Sequence, residues 1–153
     1  MANIIKAFKK EHADQIISYG MNHKLMEIDA GYADNRICNY SKPGNAFTMF
    51  KDEKPVFAIG IVILWQGVAE GWVMASQNIF DIKFLAAKSM KELTEQMCKK
   101  NKIIRLQTSV KEEFKTGVRF AEWLGLEKEG LMKYYGLDGT NYWRMAKYYE
   151  FHR

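Results

Sequence analysis

The sequence predicts a mixed α/β single domain, and three stretches carry that prediction. Val56 to Trp65 is an almost unbroken apolar run rich in Val and Ile, the pattern of a strand buried on both faces. Gln66-Gly67 then supplies a tight turn, and Val68 to Ala75 resumes as a second strand, so the two form a long central hairpin. From about Ile79 the period changes. Ala86, Met90, Leu93 and Met97 recur at spacings of four, three and four, with Lys88, Lys91, Glu92, Glu95 and Lys99 elsewhere, which is an amphipathic helix running to Lys100.

The remaining elements follow in order. Asn3 to Phe8 reads as a short strand, and Lys9 to Gly20 as a helix whose Ala13, Ile16, Ile17 and Gly20 share a face. Lys24 to Ala33 is helical by propensity. Asn35 to Asn45, with Ser41-Lys42-Pro43-Gly44-Asn45, carries turn formers and crosses the surface. Ala46 to Lys51 is strand-like, and Asp52-Glu53-Lys54-Pro55 turns the chain into the central hairpin. After the long helix, Lys102 to Val110 reads as a buried strand. Ser109-Val110-Lys111-Glu112 fits a capping box, which predicts a helix starting there, running through Phe114, Val118, Ala121 and Leu124, and stopping at Gly125. Glu127 to Tyr135 and Asn141 to Tyr149 are aromatic-rich strands joined by Leu137-Asp138-Gly139-Thr140, an antiparallel hairpin.

At 153 residues, with 48% hydrophobic and 14% aromatic content, the chain fits one domain over residues 1–153 and is not a disordered protein. The net charge of +5 permits a nucleic acid, an acidic partner or a phosphate-rich cofactor, but the lysines are scattered rather than massed. Cys38 and Cys98 belong to no metal-spaced or C-x-x-C pattern, and nine methionines add oxidisable sulfur, so a reduced, cytoplasmic setting is expected and a disulfide is not. Val56 to Trp65 is too short to span a bilayer, and no export segment is visible. His12, His23 and His152 lie in no metal or triad pattern, so no metal is expected.

The order strand, turn, strand, loop, helix has a chemical consequence. The loop Ser76 to Asp81 aims the first turn of a helix at whatever lies beyond the end of a central strand, and free amides there make an anion site. A plain connection packing a helix on a sheet gives the same pattern, and the element alone leaves both readings open.

The element order, together with Val118-Arg119-Phe120-Ala121-Glu122-Trp123-Leu124-Gly125-Leu126, Glu129-Gly130-Leu131-Met132-Lys133-Tyr134-Tyr135 and Asp138-Gly139, resembles the GNAT superfamily of acetyl-CoA-dependent N-acyltransferases over nearly the whole chain. More narrowly, Ala58-Ile59-Gly60, Gly71-Trp72-Val73-Met74-Ala75-Ser76 and Val118 to Gly125 look like the small GNAT-like proteins of podoviruses, some of them internal virion proteins. The resemblance implies a central mixed sheet with helices on both faces. It also implies a gap between the Val68 to Ala75 and Lys102 to Val110 strands, in which the cofactor's pantetheine arm bonds to Val73, Met74 and Ala75. The pyrophosphate would then sit on the loop from Ser76, Gln77, Asn78 and Ile79 to Asp81, and on Lys83.

The sequence departs from the family pattern where chemistry is concerned. Ser76 to Leu85 contains no glycine where the family carries a Gln/Arg-x-x-Gly-x-Gly run. The tyrosine that often protonates the leaving thiolate falls at Ala121, and the asparagine that often precedes it falls at Phe114. Glu70 matches a strand position where some members place a carboxylate base, which an acyl acceptor amine, protonated at neutral pH, requires. Tyr134 and Tyr135, on a strand expected to flank the cleft, are the candidates for the lost phenol.

Three functions follow. One is acetyl transfer from acetyl-CoA to a small-molecule or protein amine acceptor, with an oxyanion held by a strand amide near Met74. Another is a catalytically inactive GNAT-fold virion or host-interaction protein. Nucleic-acid binding rests only on net charge and the basic aromatic stretch from Trp143, which sheet packing explains better.

Overall fold

The computed structural model of the chain describes residues 3–18, 37–76, 79 and 82–150. The strands are β1 (Asn3–Ala7), β2 (Ala46–Lys51), β3 (Lys54–Trp65), β4 (Val68–Ala75), β5 (Arg105–Lys111), β6 (Glu127–Met132) and β7 (Tyr142–Tyr148), and the helices are α1 (Lys10–Ser18), α2 (Lys83–Lys100) and α3 (Lys115–Trp123). A short 3-10 turn spans Ile37–Tyr40. The seven strands make one sheet in the order β1-β2-β3-β4-β5-β7-β6. Only β4 and β5 are parallel; the other neighbours are antiparallel.

The central hairpin forms as its sequence dictates, with Gly67 at φ +87 supplying the left-handed turn residue. Val56 to Ile61 are buried on both faces of β3, but Ile63, Leu64 and Trp65 reach solvent at its far end. Twelve residues in extended form span about 40 Å, longer than the core is wide, so the apolar run outlasts its cover. Helices cover both faces. Ala86, Met90, Leu93 and Met97 of α2 and Val118 and Ala121 of α3 pack with Phe57, Ile59, Ile61 and Leu106 on one side. Ala13 and Ile16 of α1 pack with Ala58, Trp72 and Met74 on the other.

Several boundaries differ from the sequence expectation. The Ser109-to-Glu112 pattern starts no helix: β5 continues to Lys111, and α3 begins at Lys115 after Phe114, which makes no side-chain cap. Seven consecutive pairs with β7, including Ser109 with Arg144 and Lys111 with Tyr142, outweigh a cap worth about 1 kcal/mol. The long helix starts at Lys83 rather than Ile79. The last hairpin is not closed by a tight Asp-Gly turn. β6 stops at Met132, and residues 133–141 form a loop in which Asp138 Oδ1 accepts from Thr140 Oγ1 and Tyr134 takes φ +60. β7 lies between β6 and β5. The helix expected over Lys24 to Ala33 lies outside the described residues. Among the described residues, no helix is long and apolar enough to cross a membrane.

Candidate active site

The sheet opens between its two parallel strands. β4 and β5 pair at Val68/Arg105, Ala69/Leu106 and Glu70/Gln107 and nowhere further along. A last bridge follows, in which Thr108 Oγ1 donates to the Gly71 carbonyl at 3.0 Å. Past that point β4 continues against β3 alone, and β5 against β7 alone. The resulting cleft has a volume of about 720 Å³, within the range of small-molecule sites. It passes through the sheet: Val73, Met90 and Ala121 line it on the α2 and α3 side, and Ile37, Glu70 and Trp72 on the α1 side.

Antiparallel pairing decides which β4 residues turn their backbone toward this cleft. Neighbouring residues on a strand point their N–H and C=O groups to opposite sides. The Ser76 amide donates to the Val56 carbonyl at 2.9 Å, which assigns Ser76, Met74 and Trp72 to β3. Gly71 and Val73 therefore address the cleft, and the Gly71–Thr108 bridge agrees. Val73 thus offers both side chain and backbone to the cavity, and Ala75 lines it as well. Met74 does neither: its backbone belongs to the β3 ladder, and its fully buried side chain packs beside Trp72 on the α1 side.

At the wide end of the cleft lies the start of α2. Its cap residue Ile82 makes no side-chain capping bond, its first turn carries no acidic residue, and Lys83 and Ile79 line the cavity. The positive end of the helix dipole and a lysine make a surface suited to an anion. Ser76 is not part of it. Its amide is spent on Val56, and its hydroxyl donates to the Pro55 carbonyl at 2.9 Å, while the Ile79 amide donates to the Ser76 carbonyl. Gln77 and Asn78 lie outside the described residues.

Glu70 faces the α1 side of the cleft at the point where the strands part. Its Oε1 accepts from Gln107 Nε2 at 3.0 Å, and Arg144 Nη1 lies 3.2 Å away from the same oxygen. Both partners come from beyond the split, so the carboxylate is oriented by β5 and β7 rather than by its own strand. Neither partner was legible in the sequence, because the contacts span 37 and 74 residues. The two candidate tyrosines part company. Tyr134 sits in the 133–141 loop, 79% exposed, while Tyr135 lines the cavity and meets the Tyr142 ring edge-on at 5.4 Å. Phe114 and Ala121 do line the cavity from the α3 region, where they present only apolar surface.

The cavity also holds residues that sequence patterning passed over. Lys111, buried in β5, reaches Asp138 at 2.8 Å and anchors the 133–141 loop; that ion pair, helped by Thr140, holds the Asp138 carboxyl well below the usual range. Ser109 also lines the cavity, and its Oγ is shut off from solvent without a hydrogen-bond partner. Among the described residues no group of His, Cys, Asp and Glu side chains forms a metal cluster.

No protein-family model matches the chain, and no curated protein matches it. Solved structures do. Ard1 from Thermoplasma volcanium superposes with a TM-score of 0.75 at 14% identity, over 97% of this chain and 98% of that one. A GNAT-family acetyltransferase from Streptococcus pneumoniae gives 0.71 at 12% identity, over 96% and 99%. The ribosomal-protein-S18-alanine N-acetyltransferase from Escherichia coli gives 0.71 at 15%, over 99% and 97%. The narrower likeness to podoviral proteins gains nothing from these neighbours. Across nearly its whole length the chain has the fold of the GNAT acetyltransferases.

Proposed function

We propose that the protein is an N-acetyltransferase that moves the acetyl group of acetyl-CoA to an amine on a small molecule or a protein, in the cytoplasm. The observation that carries this reading is the cleft itself, which runs through the sheet from the lysine-flanked start of α2 to Glu70. The residues present fit the cofactor: a strand edge at Val73 for an amide-bearing arm, and helix-end amides with Lys83 for a diphosphate. When bound, acetyl-CoA supplies an activated thioester carbon. The chain's own part is to hold and deprotonate the acceptor. Glu70, reached from the α1 side, takes the proton that the amine sheds as its N–C bond forms, directly or through one water. The sulfur keeps the electron pair of the broken C–S bond and is protonated from solvent. Ala121 has no proton to give, and of the two candidate phenols only Tyr135 lines the cavity.

A second reading, a GNAT-fold virion or host-interaction component without catalysis, is favoured by one observation. The Glu70 carboxylate already holds Gln107 and Arg144, which compete for the lone pairs a base needs. The test begins with calorimetry and thermal shift on acetyl-CoA, followed by free-thiol release across amines and peptides. Binding and turnover are expected, with Glu70→Gln keeping cofactor affinity while lowering turnover about 100-fold. That defect should shrink as pH rises and the acceptor deprotonates unaided. No binding heat at millimolar acetyl-CoA and no thiol release would transfer the assignment to the second reading.

A further inference from the structure

His12 lies in the first turn of α1 and is buried, with 9% of its surface exposed. Its Nδ1 accepts from the amide of Lys9, the residue just before the helix, at 3.1 Å, and stands 2.8 Å from the fully buried Oγ1 of Thr48 on β2. A backbone N–H can only donate, so Nδ1 carries the lone pair and the proton of the neutral ring is on Nε2. The Thr48 hydroxyl then donates to the same lone pair. The Lys9 contact is the reciprocal half of a capping box, in which a side chain at the third helical position takes the amide of the residue before the helix. One nitrogen thus ties the start of α1 both to itself and to the sheet. The ring also lies edge-on to Phe50 at 4.9 Å and to Phe8 at 6.1 Å, and Phe8 meets Trp72 edge-on at 5.1 Å. Trp72 lines the cleft, so two ring contacts join His12 to the wall of the cleft on its α1 side.

We propose that His12 is a pH-sensitive latch: its neutral ring holds the start of α1 on the sheet, and a proton on Nδ1 releases that turn and loosens the Trp72 wall of the cleft. The inference stands whether or not the protein transfers acetyl groups. Thr48 can adapt to the added proton, because its hydroxyl can rotate and accept; the Lys9 amide cannot, having no lone pair. Protonation therefore sets two donors against each other at the helix start. A positive charge in the first turn also opposes the helix dipole. Burial is the largest influence on the ring and disfavours its charged form; Glu11 on α1 favours that form, while Lys9 and, on β1, Lys6 oppose it, and the balance holds the pKa below the ordinary 6.5. Thr48 and Phe50 of β2 and the neighbouring Phe8 bring no charge to the ring. Once released, His12 takes its proton at 6.5, and in place it takes it only at a lower pH. The latch is therefore fully closed above 6.5 and weakens as pH falls from there toward the folded value.

The test compares wild type with His12→Gln by hydrogen exchange, read by mass spectrometry at about pH 7.5 and about pH 5 and corrected for the intrinsic rates. Glutamine at this position can still accept from the Lys9 amide, as in a capping box, and takes up no proton. Protection of residues 10–18 in wild type should fall about 2- to 13-fold between the two pH values, the range for one net hydrogen bond, while His12→Gln keeps it. α2 is the internal reference, and its protection should not move. In 15N-labelled wild type the Trp72 indole N–H resonance should shift along the same pH curve as the His12 ring, and in His12→Gln it should stay still. Equal loss of protection in α1 and α2, or in wild type and His12→Gln, overturns the latch. A His12 ring titrating above 6.5 overturns it too, because the folded chain would then prefer the proton. A Trp72 signal that ignores the His12 titration overturns the link to the cleft. Should His12→Gln not fold, wild type decides alone, since α1 against α2 and Trp72 against His12 are both read within one chain.

Discussion

A proline scan of two adjacent residues on β4 separates the backbone that builds the sheet from the backbone that faces the cleft. Met74→Pro removes an amide from the β3 ladder in a central strand, at about 3 kcal/mol, and empties a fully buried methionine site, at about 2–5 kcal/mol. The sum is roughly 5–8 kcal/mol, against about 5–15 kcal/mol of total stability for a domain. This variant should fail to fold or melt well over 10 °C lower. Val73→Pro loses an amide that no strand uses, on a stretch of β4 that has become an edge on its β5 side, where proline is tolerated. Its cost is the trimmed, half-buried side chain and a narrowed φ, about 1–2 kcal/mol in all. At about 2–4 °C per kcal/mol for a chain of 153 residues, that is a drop of about 2–8 °C. Val73→Ala is the control that trims the side chain and keeps the N–H. If the Val73 amide serves acetyl-CoA, Val73→Pro should bind it about 2- to 13-fold more weakly than Val73→Ala, the range for one net hydrogen bond. Differential scanning calorimetry and titration calorimetry read the two arms. Equal destabilisation by the two prolines would refute the alternation assigned to β4; equal acetyl-CoA affinity in Val73→Pro and Val73→Ala would refute the amide's role.

Two further predictions concern titrating groups away from the cleft. Glu129 accepts both guanidinium nitrogens of Arg105 and the Tyr148 hydroxyl, which hold its carboxyl down at about 2 from an ordinary 4.5. A depressed carboxyl stabilises the fold above its unfolded value and loses that contribution as pH falls through the folded one. The melting-temperature gap between wild type and Glu129→Gln should therefore be constant above about pH 5 and close between pH 4.5 and 2. Because the pair is at the surface, the gap should not exceed about 4 °C. Cys98 is fully buried, and burial pushes its thiol up to about 11. With Cys38 also buried, a maleimide at pH 8 should label neither cysteine of the native protein and both in denaturant. Labelling of Cys98 at a rate independent of unfolding would show that the α2–β7 packing around it opens by itself.

The elements whose residues meet their partners nearby were legible. The Val56 to Ile61 core run and the Ala86, Met90, Leu93, Met97 stripe appear in the fold as written, because period and burial report one another directly. The element ends were not. Ser109 to Glu112 matches a helix cap residue for residue, yet the ladder with β7 takes it for a strand, and that ladder is formed by residues more than thirty positions downstream. Tyr134 and Tyr135 look equivalent as a pair in a strand. Once the strand ends at Met132, the loop leaves both exposed, Tyr134 more than Tyr135, and only Tyr135 lines the cavity. Glu70 stands out in the sequence by its match to a family strand position, but Gln107 and Arg144, which hold its carboxylate, leave no local trace.

One property of the cleft is written in the hairpin turn. A two-residue turn at Gln66-Gly67 closes on a hydrogen-bonded pair, Trp65 with Val68, and alternation from there commits Val68, Glu70, Trp72 and Met74 to β3 by their backbones. Gly71 and Val73 are then left for whatever enters from the β5 side, so Val73 and Met74 were never equivalent. The irregularity at Leu64 does not disturb this, because the extra residue lies in β3. It shifts β3 by one position, so that Ile59 rather than Gly60 stands across from Val73. Gly60 falls instead opposite Trp72, where a Cβ would lie 2.6 Å from the indole ring. The one-residue slip thus sets the glycine against Trp72, whose ring fills the space a Cβ would need. It also keeps the wall of the cleft behind Val73 aliphatic.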